Sequence, residues 1–214
     1  CGFELCPGNI MASNPECCLS VDEWRGRFAQ WVEQGTPDHL LKASIFFDFR
    51  PLWGDPTPTE ALRDFVLDKV PRNPRFRRQM ASNALRAEPP LGFLTDFALS
   101  GTGDRARTID LKMNGTTPFV DGARILALTF GVRETNTLAR LRGAAERGAI
   151  RPEEAAAWGD AYAFVLLQRM RTHQAQQRAG RHPDNRVDPD DLNGLDRRIL
   201  KEAFRQAKKL QAKL

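Results

Sequence analysis

The chain has 214 residues, 41% hydrophobic and 28% charged, enough for one sizeable domain or two small ones. That balance excludes a disordered or collagen-like chain, and no apolar run approaches the ~18–20 residues of a membrane span. The net charge of +5 raises nucleic acid as a partner, and the start at Cys1-Gly2-Phe3, with neither methionine nor signal-peptide pattern, suggests a piece of a longer protein.

Ser20 and Glu23 form a capping box, and Trp24, Phe28 and Trp31 or Val32 repeat at helical spacing, so a helix is predicted from there to about Gly35. Pro37 suits the first turn of the next segment, which carries Ile45-Phe46-Phe47, then Phe49, Leu52 and Trp53. Its aromatic and β-branched content permits a strand. Leu41, Ile45, Asp48 and Leu52 nevertheless fit one face of a buried helix, which is preferred because no pairing strand lies nearby. Gly54 to Pro58 reads as a turn, Thr59-Glu60 opens a helix to about Lys69, and another runs from Pro74 to Ala87, where Pro89-Pro90 breaks it. Leu91 to Leu99 is apolar again, Gly101 to Asp104 is a loop, and Thr108 to Lys112 is a short extended stretch. Pro118 starts a helix with Val120, Ala123, Ala127 and Phe130 in register, closed by Gly131.

Thr137 is expected to cap the following helix, with Leu138, Leu141 and Ala145 inside and Gly148 past its end. Pro152-Glu153-Glu154 opens a long helix, apolar nearly all round from Ala155 to Leu167 apart from Asp160. That pattern suits the centre of a bundle. In the last helix, Asp196 to Leu214, the residues Leu200, Ala203, Ala207, Leu210 and Leu214 make a packing seam. Under three heptads is short for a homodimer coiled coil, so docking onto the chain's own bundle is expected. There is no internal repeat and no low-complexity linker. The predicted fold class is all-α, a multi-helix bundle.

Charge is uneven: −5 over 1–71, +4 over 72–107, balanced over 108–168 and +6 over 169–214. The basic tail also holds Asp188, Asp190, Asp191 and Asp196, with Phe204 as its one aromatic. A polyphosphate-binding stripe clusters cations with few acids and interleaves rings, so a solvated helical face is preferred over nucleic acid. All four cysteines lie in the first 18 residues, spaced C-x4-C-x10-C-C without the paired C-x-x-C of a zinc site or a nearby histidine. Cys17 and Cys18 are neighbours, which disulfide geometry disfavours. Reduced thiols of a cytoplasmic protein, and no metal, are expected. His39, His173 and His182 are not spaced as ligands.

Candidate chemistry lies in two places. Lys112 to Pro118 carries one glycine between an extended segment and a helix start, where backbone N–H groups can face an anion. Asp110, Lys112, Asp121 and Arg124 gather around it. Asp121 and Arg124, three apart, share a face and either bind substrate or form a buried ion pair that fixes the turn. Asp48 and Arg50 lie within Phe46-Phe47-Asp48-Phe49-Arg50-Pro51, where an ionised carboxylate among rings must be paired. An arginine from elsewhere is preferred as its partner over a metal.

Longer stretches carry a resemblance. Cys6-Pro7-Gly8-Asn9-Ile10-Met11-Ala12-Ser13-Asn14-Pro15, then Ser20-x-Asp22-Glu23-Trp24, then Ala43 to Pro51 followed by Leu52-x-Gly54-Asp55, resemble a family of nucleotidyltransferases. Its members often carry CBS and cyclic-nucleotide-binding domains upstream and look like relatives of the PII uridylyltransferases. Ile109 to Lys112, Pro118-Phe119-Val120-Asp121-x-x-Arg124-x-x-Ala127-Leu128, Asn136-Thr137-x-x-Arg140-Leu141 and Asp188-Pro189-x-x-Leu192 resemble the family's C-terminal substrate-binding domain. The resemblance implies a transferase tail over 1–55, with a short remnant strand near the N-terminus allowed, and a helical substrate-binding domain over 56–214. It implies Mg²⁺ and a nucleoside triphosphate for the parent protein and no cofactor in this chain. The family's Gly-Ser pair and Asp-x-Asp motif are not found here and would lie before Cys1, while the region near Cys6 offers only Glu4 as a carboxylate. No catalytic residue is therefore expected. Lys112, Asp121 and Arg124, with Asp110, are expected at a substrate cleft, and Asp48 and Arg50 near it. The implied partners are an N-terminal nucleotidyltransferase domain of the same protein and a protein acceptor, with no membrane. The rival readings are a helical module binding nucleic acid or a protein through its basic C-terminal face, and an oligomerisation bundle.

Overall fold

A computed structural model describes residues 6–92, 96–99 and 107–214. Cys1, Glu4, part of the Leu91–Leu99 stretch and the Gly101–Asp104 loop lie outside the described residues. Within them the architecture is helical: eight α-helices and one two-stranded sheet. Among the described residues no helix is long and apolar enough to cross a membrane.

The first four helices are α1 (Val21–Gln34), α2 (Pro37–Phe46), α3 (Thr57–Lys69) and α4 (Pro74–Ala84). Ser20 caps α1 through the expected box: its Oγ accepts from Glu23 N at 3.3 Å while Glu23 Oε2 accepts from Ser20 N at 2.7 Å. Gly35 closes the helix in the left-handed region, φ 57°. Thr36 and Asn73 cap α2 and α4 with their side-chain oxygens. These helices enclose an aromatic core in which Phe28, Trp31, Phe47 and Phe76 are buried. Phe28 meets Phe47 edge-on at 5.1 Å between centroids, an arrangement favoured by ring quadrupoles.

The segment after α2 departs from expectation. The helix stops at Phe46, Leu41 is 58% exposed, and Leu52 and Trp53 are more than 90% exposed. The buried side of α2 is the one carrying Ala43, with Phe47 following at its C-cap. Pro51 disfavours helical backbone at Arg50, so the chain leaves the helix, and Phe47 and Phe49 turn toward the core while Leu52 and Trp53 stay in solvent. No strand occurs among described residues 6–55.

The second half comprises α5 (Thr117–Phe130), α6 (Thr137–Glu146), α7 (Pro152–Arg178) and α8 (Gly194–Gln211). Strand β1 (Ile109–Asp110), within the expected extended stretch, pairs antiparallel with β2 (Arg186–Val187), placing Ile109 opposite Val187 and Asp110 opposite Arg186. One π-helical turn, Leu111–Thr116, links β1 to α5. Asn136, not Thr137, caps α6, its Oδ1 accepting from Leu138 N and Ala139 N at 3.0 and 3.2 Å. Thr137 is buried as the first helical residue.

The central helix is α5 rather than α7. Ile125 and Leu128 belong to the aromatic core, while Phe119, Ala123 and Leu126 belong to the second core. Helix α7 buries one face through Ala155, Trp158, Ala161 and Val165 and exposes Ala156 and Ala163. Many of its apolar residues are alanines, whose small side chains cost little in water. The seam of α8 docks inward as expected, with Leu200, Ala203, Ala207 and Leu210 at most 2% exposed. Gly122 permits the approach of α8 to α5, since a Cβ there would lie 2.8 Å from Leu210.

Candidate functional site

Where the two cores meet, charged side chains converge in the interior. Asp48, just past α2, faces Arg124 of α5 and Arg140 of α6. Arg124 donates from Nη2 and Nε to the two Asp48 oxygens at 2.8 and 3.3 Å, a fork on a carboxylate. Arg140 donates from Nη2 to Asp48 Oδ1 at 2.5 Å and from Nε to the Glu134 carbonyl at 2.8 Å. The remaining arm of Arg124 donates to Asp121 Oδ1 at 2.6 Å. Arg124 is 7% exposed and Arg140 2%. Arg63 of α3 closes the rim, donating to the Phe49 carbonyl and stacking 4.6 Å from the Phe49 ring.

The two aspartates respond differently to this surrounding. Burial alone would raise Asp48, but hydrogen bonds and charge from Arg124 and Arg140 outweigh it and hold its carboxyl below the usual range. Burial pushes Asp121 up, because a single guanidinium arm reaches it and Asp48 adds like charge. Burial opposes the Arg124 charge, and the two carboxylates more than restore it, while Arg140, burial-dominated, is lowered. A cavity of about 20 Å³ lies against Asp121 and Arg124, lined also by Ser44 and Asn83, room for about one water.

The expected site residues thus separate. Asp121, Arg124 and Asp48 form one cluster, in which the arginine is buried and the two aspartates are half-buried. Asp110 and Lys112 are elsewhere: Asp110 caps the π turn, accepting from Lys112 N and Met113 N at 2.9 Å each. The backbone N–H groups expected to face an anion are therefore occupied by the chain's own carboxylate. Lys112 is exposed and makes no ion pair among the described residues, and Arg50 is likewise exposed without one. Arg140 at the centre of the cluster and Arg63 at its rim escaped prediction as site residues. Arg140 stood in the motif Asn136-Thr137-x-x-Arg140-Leu141, but nothing in the spacing tied it to Asp48, 92 positions earlier.

Among the described residues no group of three His, Cys, Asp or Glu converges for a divalent ion, and both carboxylates of the cluster are engaged by arginine. Cys6, Cys17 and Cys18 are free thiols. The described residues do not fit a Mg²⁺ site.

Comparison with known families gives two matches. The family model described as putative nucleotidyltransferase substrate binding domain covers residues 74–214, and that described as putative nucleotidyltransferase DUF294 covers residues 1–38. No curated protein and no solved structure matches the chain.

Proposed function

From the premise that the chain belongs to the putative nucleotidyltransferase substrate binding domain family, we propose that it is the acceptor-side part of a nucleotidyltransferase resembling the PII uridylyltransferases. In this reading the parent protein moves a nucleotidyl group from a nucleoside triphosphate to an acceptor, a protein, in the cytoplasm. An N-terminal nucleotidyltransferase domain of the same protein supplies the metal and the triphosphate. This chain supplies rigid orientation and acceptor contacts and has no transferase activity by itself.

The observation that supports this reading most is the clamp on Asp48. A carboxylate from the N-terminal segment is held by arginines of α5 and α6, which ties the two halves together. Fixed orientation of reactants is a large part of what a transferase must provide. Lys112, exposed on the π turn beside α5, is free to meet an acceptor or a phosphate oxygen.

The test uses a labelled nucleoside triphosphate, Mg²⁺ and a candidate protein acceptor. The intact parent protein is expected to label the acceptor and this chain alone to label nothing. In the parent protein Lys112→Ala should lower kcat/KM at least ~tenfold, the effect of losing one charged contact, with an unchanged thermal midpoint. Robust labelling by this chain alone would overturn the division of labour. Wild-type turnover in the Lys112 variant would remove that residue from the site.

A further inference from the structure

Gln168 of α7 is only 3% exposed, and its carboxamide Nε2 has no hydrogen-bond partner. Buried polar groups are nearly always paired, so an unpaired one needs an account. The side chain lines a cleft of about 720 Å³ between α7, the two strands and the 181–192 segment. That volume is within the range of small-ligand sites.

The cleft wall is a built structure. Gln176, also buried, donates from Nε2 to Asp184 Oδ1 at 2.7 Å and accepts from Asp184 N at 2.9 Å. Arg169 Nε donates to Asn185 Oδ1 at 2.6 Å, and Leu111 N donates to the Asn185 carbonyl at 2.8 Å. These bonds fix the turn after α7 against the sheet, and the cleft floor with it.

Its lining offers both signs of charge. Arg181 makes no ion pair among the described residues, and Arg171 has only a 3.6 Å contact with Asp196. At the strand ends, Asp110 and Asp188 each use Oδ1 for backbone N–H groups and keep a second oxygen for a donor. A bare cation would meet arginines, an apolar ligand would leave the amide and carboxylates unmatched, and inorganic phosphate would offer the aspartates too few donors.

We propose that this cleft binds a hydroxyl-rich phosphate ester of the sugar-phosphate or nucleoside-monophosphate class. The phosphate pairs with Arg171 and Arg181, vicinal hydroxyls donate to Asp110 and Asp188, and the buried Gln168 carboxamide turns about its terminal bond to offer Nε2 to a ligand oxygen. The site is separate from the Asp48 clamp and does not depend on the transferase reading, since binding needs neither a triphosphate nor an acceptor.

Isothermal titration of this chain with ribose 5-phosphate, uridine 5′-monophosphate, ribose and inorganic phosphate tests it. Saturable one-to-one binding of a phosphate ester, at least ~tenfold tighter than ribose or phosphate, is expected. Equal affinity for the two esters assigns a sugar phosphate, and tighter binding of the nucleotide assigns a nucleoside monophosphate. Arg181→Ala, at an exposed position, should weaken the esters ~tenfold and leave ribose unchanged. Gln168→Leu removes the unpaired donor without changing shape much, so it should weaken the esters ~tenfold while the thermal midpoint holds or rises. The proposal is overturned if neither ester binds saturably, or if both variants bind as tightly as the unaltered chain.

Discussion

Asp48 has consequences beyond its own side chain, because two nearly buried arginines pair with it. Removing one member of a buried ion pair leaves uncompensated charge and typically costs about 3–5 kcal/mol, whereas an exposed pair contributes about 0–1 kcal/mol. Asp48→Ala should therefore cost about 3 kcal/mol in urea denaturation, while Asp38→Ala, which breaks an exposed pair with Lys42 at 2.8 Å, should cost under about 1 kcal/mol. Equal losses would show that the clamp contributes nothing special. The pH response also has a definite sign. Glu154 is lowered from 4.5 to about 2, chiefly by the hydrogen bond from the Arg151 backbone N–H. Its contribution is full above the unfolded value and is lost as pH falls through about 2, and Asp48, also lowered, acts in the same sense. Asp121, raised by burial, acts oppositely, its ionised form being the costly one. Glu154→Gln should reduce the drop in thermal midpoint between pH 6 and pH 2.5, and an unchanged drop would assign acid sensitivity elsewhere.

At the scale of elements, caps and close approaches decide where helices begin and how near they lie. Asn136 satisfies two N–H groups at the start of α6, so Asn136→Ala should cost about 1 kcal/mol by thermal or chemical unfolding. Gly115 lets the π turn press onto α7, since a Cβ there would stand 2.6 Å from Val165 Cγ1. Gly115→Ala overpacks this contact and should cost about 1–3 kcal/mol, and Val165→Ala in the same chain should recover part of it. No recovery would mean that the alanine disturbs the turn's backbone instead. Several element boundaries were legible because local chemistry sets them: the Ser20–Glu23 box, the Gly35 and Gly131 stops, and Pro152 at the start of α7. The 41–53 segment was misread because its hydrophobic residues match a helical period while Pro51 and the aromatic core select a different face. A periodicity names the residues that can share a face, and the competing partners decide which face is buried.

For the whole molecule, the decisive feature is α5, which contributes side chains to both cores and carries Arg124 into the joint. Residues on both sides of position 55 pack in the aromatic core, so the N-terminal segment and α3–α4 are one packed body. Unfolding should accordingly be a single transition, followed in the same protein by tryptophan fluorescence and by far-ultraviolet circular dichroism. Coincident curves are expected for the unaltered chain, and Asp48→Ala should separate them. Separate curves before that substitution would refute the coupling.

The sequence by itself determined the helical class, the Ser20 cap and the Gly35 and Gly131 stops, the inward seam of α8 and the family to which the chain belongs, because these depend on local periodicity, side-chain capping and motif order. Tertiary structure alone decided that α5 rather than α7 is central, that Asp48 pairs with Arg124 and Arg140, and that Asp110 and Lys112 lie apart from them. The physical reason is separation along the chain. Partners 76 and 92 positions apart leave no trace in spacing or period, and a buried carboxylate announces only that it must be paired, not by which arginine.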